Sequence, residues 1–127
     1  MTELEKSKAI IQYIADAEKK TPVELYTDQE IKDSYSCKVI GKEGLKVVFG
    51  DWMDIERIIN ENKLTNYYLK NDRRNSGVPI LDIKNINARI EPGAIIRDKV
   101  TIGDKAVIMM GAVINIGAEI GEATMID

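Results

Sequence analysis

The fold is decided by residues 88–127, which read ARIEPGAIIRDKVTIGDKAVIMMGAVINIGAEIGEATMID and are called the repeat segment below. Isoleucine recurs at every sixth position of this segment, and a small or β-branched residue stands two positions before each one. The isoleucines are Ile90, Ile96, Ile102, Ile108, Ile114, Ile120 and Ile126. Neither the ~3.6-residue period of a helix nor the two-residue period of a strand produces this spacing. A hexapeptide period predicts a parallel β-helix with the isoleucines pointing into its interior.

Three hexads complete one coil of a triangular β-helix, so residues eighteen positions apart stand in one column. The positions that follow the isoleucines give three columns: Arg97 with Asn115, Glu91 with Met109 and Asp127, and Gly103 with Gly121. An arginine and an amide at one corner suit a planar carboxylate by charge and hydrogen bonding. The same pair could equally form a polar ladder on a solvated edge. The glycine column is a corner without side chains.

The turns of the repeat segment are predicted from its glycines. We expect the chain to turn at Pro92-Gly93, Gly103-Asp104, Gly111, Gly117 and Gly121. The repeat is expected to begin near Ala88, because Lys84 stands where the register requires an aliphatic residue.

The beginning of the chain predicts a helix over about residues 3–20. Thr2 and Glu5 fit a capping box, and Pro22 follows the helical pattern. The apolar residues at helical spacing are Leu4, Ile11, Ile14 and Ala15. We expect this face to pack on a small sheet.

Residues 23–69 predict the remainder of a small α/β domain. Strands are expected at residues 23–26, 37–40, 45–49 and 67–69, with a turn between Gly41 and Gly44. Asp51 can cap a second helix that ends near Asn62. The polar residues 71–77 mark a boundary, so the expected domains are 1–75, a small α/β domain, and 76–127, the start of a β-helix. Arg73 and Arg74, in that linker, are expected to be solvated or to pair with local acids.

Composition excludes several classes of function. The net charge of −3 gives no basic face for nucleic acid. A single cysteine rules out an internal disulfide framework, and no apolar run approaches the roughly 20 residues that span a bilayer. The chain contains no histidine, which excludes mechanisms that rely on an imidazole base or on histidine ligands to zinc. We expect a soluble cytoplasmic protein without a metal.

Four segments carry a family resemblance: residues 71–76 (NDRRNS), 87–97 (NARIEPGAIIR), 107–117 (VIMMGAVINIG) and 121–127 (GEATMID). Together they resemble the tetrahydrodipicolinate N-acetyltransferases, hexapeptide-repeat acyltransferases of the diaminopimelate–lysine pathway. The resemblance is specific from about residue 71 onward, and before it the chain matches in layout.

The resemblance implies a left-handed β-helix in a homotrimer, with active sites between adjacent subunits. It implies transfer of an acetyl group from acetyl-CoA, as co-substrate, to the amino group of a ring-opened dicarboxylate. Asp127 ends the motif whose aspartate is implicated in catalysis in related succinyltransferases. Arg97 and Asn115 then become candidates for binding the dicarboxylate. Ala123 stands where the motif commonly has glycine.

The resemblance also implies that the CoA site lies beyond residue 127. We therefore expect the chain to be an inactive N-terminal fragment of the enzyme. Alternatives are a succinyl-CoA donor, another hexapeptide acyltransferase acting on a sugar nucleotide or a different amino acid, and a non-catalytic β-helix scaffold. The residues that select acetyl or succinyl are also expected beyond the chain.

Overall fold

The computed structural model describes residues 2–127, and the chain divides into two units. The sheet unit is Glu18–Gly77, and the repeat unit combines Met1–Ala17 with Val78–Asp127. The helices are α1 (Glu3–Asp16) and α2 (Trp52–Glu61). The strands are β1 (Pro22–Thr27), β2 (Lys38–Ile40), β3 (Lys46–Asp51), β4 (Tyr67–Asn71), β5 (Arg89–Ile90), β6 (Ile95–Ile96), β7 (Thr101–Ile102), β8 (Val107–Ile108), β9 (Val113–Ile114), β10 (Glu119–Ile120) and β11 (Met125–Ile126).

The sheet unit is an antiparallel sheet in the order β2-β3-β1-β4, with α2 packed on one face. Val23 and Leu25 are buried on alternate positions of β1, and Ile55 and Ile58 of α2 pack in the same core. Asp51 caps α2 by accepting a backbone N–H of its first turn at 3.2 Å. The four predicted strands and the second helix are therefore confirmed, with ends that differ by two residues at most.

Helix α1 begins as predicted and ends earlier. The Thr2 side chain accepts the Glu5 N–H at 3.1 Å, and the Glu5 carboxylate accepts the Thr2 N–H at 3.1 Å, which completes the capping box. The helix stops at Asp16 because Ala17 is extended, with φ −68° and ψ 117°. The predicted end near residue 20 is therefore wrong, since the chain is already extended on its way to β1.

The packing face of α1 also differs from the prediction. Leu4 and Ile11, expected to be covered, are each 65% exposed. The contacts of α1 come instead from Ile10 and Tyr13 and are made with the repeat segment. A Cβ built on Gly117 would lie 2.6 Å from Ile10 Cδ1, so glycine leaves the space into which this side chain packs. Accordingly α1 groups with residues 78–127, whereas the predicted division after residue 75 placed it with the sheet.

The repeat segment forms seven two-residue strands that pair in parallel with partners eighteen residues away. Three sheets result, β5-β8-β11, β6-β9 and β7-β10. The hexad isoleucines all belong to one apolar cluster, in which Ile96, Ile108 and Ile114 are buried and the others partly buried. The small residues two positions earlier, including Ala112 and Val100, pack in the same cluster. The predicted clustering of the hexad isoleucines is therefore confirmed, while the β-helix itself stays a prediction.

The turns of the repeat segment follow a stricter rule than its glycines suggested. Every sixth residue adopts a left-handed backbone conformation, with φ between 57° and 92°. These residues are Gly93, Lys99, Lys105, Gly111, Gly117 and Ala123. The predicted turns at Gly93, Gly111 and Gly117 are confirmed. Gly103 and Gly121 are not left-handed, so the left-handed turns fall two positions later, on Lys105 and Ala123.

The first edge of the β6-β9 sheet is covered by the chain itself. Ile80 forms an antiparallel bridge with Arg97, and the Leu81 N–H donates to the Ile96 carbonyl at 2.9 Å. An unpaired strand edge would offer these groups to another chain. Within residues 2–127, neither helix has the length and apolar composition needed to cross a membrane.

Candidate active site

Arg97 and Asn115 meet at one corner of the repeat segment. They follow the paired residues Ile96 and Ile114, and the Arg97 N–H donates to the Ile114 carbonyl at 3.0 Å. Arg97 Nη1 donates to Asn115 Oδ1 at 3.2 Å. The predicted column therefore places the two side chains together, while their role in binding stays a prediction.

The hydrogen bonds at this corner leave donors free on both side chains. Asn115 Oδ1 also accepts the Ile116 N–H at 2.8 Å, so the amide oxygen is used twice by the protein. The two Nδ2 hydrogens and most of the guanidinium donors make no hydrogen bond to residues 2–127. Arg97 is half-buried and pairs with no carboxylate in that range. A cation and an amide donor side by side can hold one planar carboxylate.

Asp98, the residue after Arg97, is hydrogen-bonded to a side chain of α1. Asp98 Oδ2 accepts the Tyr13 hydroxyl at 2.9 Å, and Lys99 Nζ lies 4.3 Å from the centre of the Tyr13 ring. Its hydrogen bond to the Asp98 carboxylate raises the pKa of Tyr13 above its usual value, with smaller contributions from burial and from the Asp98 charge. This contact was missed from the sequence, because Tyr13 and Asp98 are 85 residues apart and neither belongs to a motif.

Asp127 lies at another corner. Its column follows the β5-β8-β11 sheet, and the Met109 N–H donates to the Ile126 carbonyl at 2.8 Å. Asp127 is exposed and makes no hydrogen bond or ion pair with residues 2–127. Glu91, at the head of this column, pairs with Arg89 at 3.2 Å. A single chain therefore brings Arg97 and Asn115 together and leaves Asp127 on a separate column.

The column of Gly103 and Gly121 carries no side chains, and at Gly103 the reason is close backbone packing. A Cβ on Gly103 would lie 2.5 Å from the Glu122 backbone nitrogen and 2.8 Å from the carbonyl carbon of Gly121. The backbone of Gly121 and Glu122 approaches too closely for any larger residue at this position. We therefore attribute the bare corner at Gly103 to backbone packing.

The linker arginines are occupied locally. The Arg74 N–H donates to Asp72 Oδ1 at 2.9 Å, and its Nε lies 3.7 Å from Asp72 Oδ2. The Arg73 N–H donates to Asn71 Oδ1 at 2.9 Å. Local pairing was predicted for these arginines, and for Arg74 it is confirmed.

The sheet unit contains a cavity of about 640 Å³ that the sequence did not predict. It lies beside β1 and β3, and its charged lining residues are Lys20, Glu24, Asp51, Asp54, Lys70 and Asp72. Three of the carboxylates already accept hydrogen bonds within the unit. Among residues 2–127 there is no cluster of three or more cysteine, aspartate or glutamate side chains arranged to hold a metal ion.

Comparison with known proteins identifies relatives that match most of the chain. The family model described as "Tetrahydrodipicolinate succinyltransferase N-terminal" matches residues 6–83. A 2,3,4,5-tetrahydropyridine-2,6-dicarboxylate N-acetyltransferase of Bacillus velezensis (strain DSM 23117 / BGSC 10A6 / LMG 26770 / FZB42) is 53% identical over 115 residues, 85% of this chain and 48% of the relative. The enzyme of the same name from Bacillus subtilis (strain 168) is 54% identical over 114 residues, with 84% and 48% covered. The chain thus spans about half the length of these relatives. The family match also lies over the N-terminal residues, where the sequence had indicated resemblance in layout alone.

Proposed function

The chain belongs to the tetrahydrodipicolinate succinyltransferase N-terminal family, and from this membership we propose that it forms the dicarboxylate-binding part of an N-acetyltransferase. The proposed reaction transfers an acetyl group from acetyl-CoA to the primary amine of ring-opened tetrahydrodipicolinate. The observation that carries the proposal is the Arg97–Asn115 corner, which offers a cation and amide donors to a carboxylate.

The choice of acyl donor is supported by the relatives. Both curated proteins, at 53% and 54% identity, are named N-acetyltransferases. The family description names a succinyltransferase, which keeps succinyl-CoA as the second candidate. We give the two specific relatives more weight than the broad family description, because the relatives cover most of this chain.

We further propose that the repeat segment is the beginning of a left-handed parallel β-helix. Parallel pairing at intervals of eighteen residues, three sheets and one apolar interior support a coil of three hexads. The left hand follows from the family resemblance and departs from the usual right-handed crossover of parallel strands.

A homotrimer is the proposed assembly. The outward residues Ile95 and Val113 of the β6-β9 sheet are 55% and 72% exposed, and they stand two residues before Arg97 and Asn115. An adjacent subunit covering this apolar face would lie beside the carboxylate-binding corner. It could thereby bring its own Asp127 towards Arg97, which one chain alone does not do.

In the proposed mechanism the residues of this chain bind the substrate and move a proton. Arg97 and Asn115 hold one carboxylate and so fix the position of the amine. When bound, acetyl-CoA supplies the acetyl group as a thioester. Asp127 accepts the proton that the amine loses as its N–C bond forms and the C–S bond breaks. A carboxylate that is exposed and unpaired is free for this task.

No residue of the chain is assigned to CoA. We propose that the isolated 127-residue chain shows no turnover, and that the enzyme acts in the cytoplasm without a metal or a nucleic-acid partner. Acetyl transfer by the isolated chain would contradict the first of these proposals.

The binding role is tested by Arg97→Gln in the gene product that carries these 127 residues. We expect the KM for the dicarboxylate to rise about 10- to 100-fold, because a hydrogen-bonded charge is worth about 1.5–3 kcal/mol. Arg89→Gln is the matched control, since Arg89 pairs with Glu91 on another sheet and should leave KM within about twofold. Equal effects of the two substitutions would contradict the assigned site.

A further inference from the structure

The contact between Tyr13 and Asp98 bears directly on Arg97. Asp98 is the next residue along the chain from Arg97, at a turn where Lys99 is left-handed with φ 59°. Its carboxylate Oδ2 accepts the Tyr13 hydroxyl at 2.9 Å. Arg97 makes no ion pair with Asp98 or with any other carboxylate among residues 2–127. Asp98 thus pairs with α1 and not with the adjacent Arg97.

An arginine that binds a substrate carboxylate must not be neutralised by its neighbour. An aspartate one residue away could compete for the same guanidinium donors, since arginine pairs with carboxylates in a planar, bidentate geometry. Each hydrogen bond that Asp98 made to Arg97 would be one that the substrate must displace. The hydroxyl of Tyr13 donates to Oδ2 and so occupies an oxygen that could otherwise accept from Arg97.

The helix holds Tyr13 for this contact without burying a core of its own. No residue of α1 is fully buried, yet Ile10 packs into the space left by Gly117, and Lys99 Nζ lies 4.3 Å from the Tyr13 ring centre. The ring is therefore positioned from two sides, by the helix and by a cation. Its hydroxyl is directed to one carboxylate oxygen.

We propose that Tyr13 is a positioning residue that holds the Asp98 carboxylate away from Arg97, so that the guanidinium stays available for the substrate dicarboxylate. The proposal rests on the proposed function and deepens it. It assigns to α1 a part in substrate affinity, which the helix exerts through Asp98 and without touching the substrate.

The test compares a single variant and a double variant of the gene product that carries the chain. Tyr13→Phe keeps the ring and its contact with Lys99 and removes only the hydroxyl. We expect the KM for the dicarboxylate to rise about 5- to 10-fold with kcat within about twofold, because the released Asp98 carboxylate can pair with Arg97 and the substrate must then displace that charge-assisted hydrogen bond. Binding of pyridine-2,6-dicarboxylate, a stable analogue with the same two carboxylates, should weaken by the same factor in calorimetry.

The decisive variant is the double substitution Tyr13→Phe/Asp98→Asn. An uncharged amide at position 98 cannot neutralise Arg97, so KM should return to within about twofold of the original protein. Tyr26→Phe, which removes a tyrosine hydroxyl bonded to Glu24 at 3.0 Å in the sheet unit, is the matched control and should leave KM unchanged.

The outcomes separate this proposal from the proposed function. If Arg97→Gln raises KM while Tyr13→Phe does not, the positioning role is overturned and the function stands. If the double variant is as impaired as Tyr13→Phe, the tyrosine is merely structural and the proposal is also overturned. If Arg97→Gln has no effect on KM, the proposed binding site fails, and the role of Tyr13 fails with it.

Discussion

Three residues adopt the left-handed conformation of the repeat turns without being glycine: Lys99, Lys105 and Ala123. This conformation costs an L-residue with a Cβ roughly 1–2 kcal/mol. The repeat segment tolerates this cost because the isoleucine and the parallel pairing of each hexad determine where the chain must turn. Ala123 stands at such a turn only four residues before Asp127.

Replacing Ala123 with glycine should stabilise the protein. Glycine relieves the strain at φ 57° and loses part of that gain to its greater freedom in the unfolded chain, so we expect about 0.5–1 kcal/mol. The midpoint of urea unfolding measures the change. Ala118→Gly is the matched control, because Ala118 is not left-handed and packs against the core, and it should destabilise by about 1 kcal/mol. Destabilisation by Ala123→Gly would contradict the assigned backbone strain.

Cys37 should be a slow nucleophile. Burial raises the pKa of its thiol, and the charges of Asp54 and Asp51 raise it further, so less thiolate is present at any given pH. We expect iodoacetamide at pH 8 to alkylate Cys37 several times more slowly than free cysteine. Asp54→Asn should accelerate alkylation about twofold, since it removes one of the two charges that raise the pKa of the thiol. Asp28→Asn, at an exposed carboxylate that does not affect Cys37, should change nothing, and equal acceleration by both variants would rule out the electrostatic contribution.

At the scale of elements, the two-residue strands of the repeat segment depend on a close approach of neighbouring backbone segments. Gly103 shows how close this approach is, because its position faces the backbone of Glu122 rather than a side chain that could move. A Cβ built on Gly121, in the same column, would have the Thr124 hydroxyl oxygen as its nearest neighbour, at 3.3 Å. The two glycines look equivalent in the sequence and differ in the space around them.

Gly103→Ala should therefore destabilise the protein by about 2–3 kcal/mol, since the added methyl group meets backbone 2.5 Å away and forces the two backbone segments apart. Gly121→Ala should cost less than about 1 kcal/mol, because the Thr124 side chain can shift by a few tenths of an ångström. Chemical unfolding of both variants gives the comparison. A larger effect at Gly121 would contradict the register of β7 and β10.

The elements also differ in how far the sequence could predict them. The hexad period predicts the strands, the inward-pointing side chains and the columns together, because the same positions of every hexad must fill one apolar interior. The Arg97–Asn115 contact followed from counting eighteen residues. The capping box predicted helix α1, but the segment against which the helix packs was not predicted. The face with Leu4 and Ile11 and the face with Ile10 and Tyr13 are both plausible packing faces. The periodicity of a lone helix does not identify what it packs against.

At the scale of the whole molecule, the sequence predicted the candidate site unevenly. The eighteen-residue spacing predicted that Arg97 lies beside Asn115 and that Asp127 lies in a different column. The contact of Tyr13 with Asp98 was not predicted, because it depends on where α1 packs. Asp127 and Arg97 lie on different columns, so the proposed chemistry requires residues from an adjacent subunit. The contacts within one chain therefore show only part of the proposed active site.

The proposed function is tested most directly by thiol release from acetyl-CoA and from succinyl-CoA, measured side by side with tetrahydrodipicolinate and the gene product that carries these 127 residues. We predict release that depends on the dicarboxylate, proceeds with acetyl-CoA and falls at least about 100-fold in Asp127→Asn. Release with succinyl-CoA alone, or with neither thioester, would contradict the proposal.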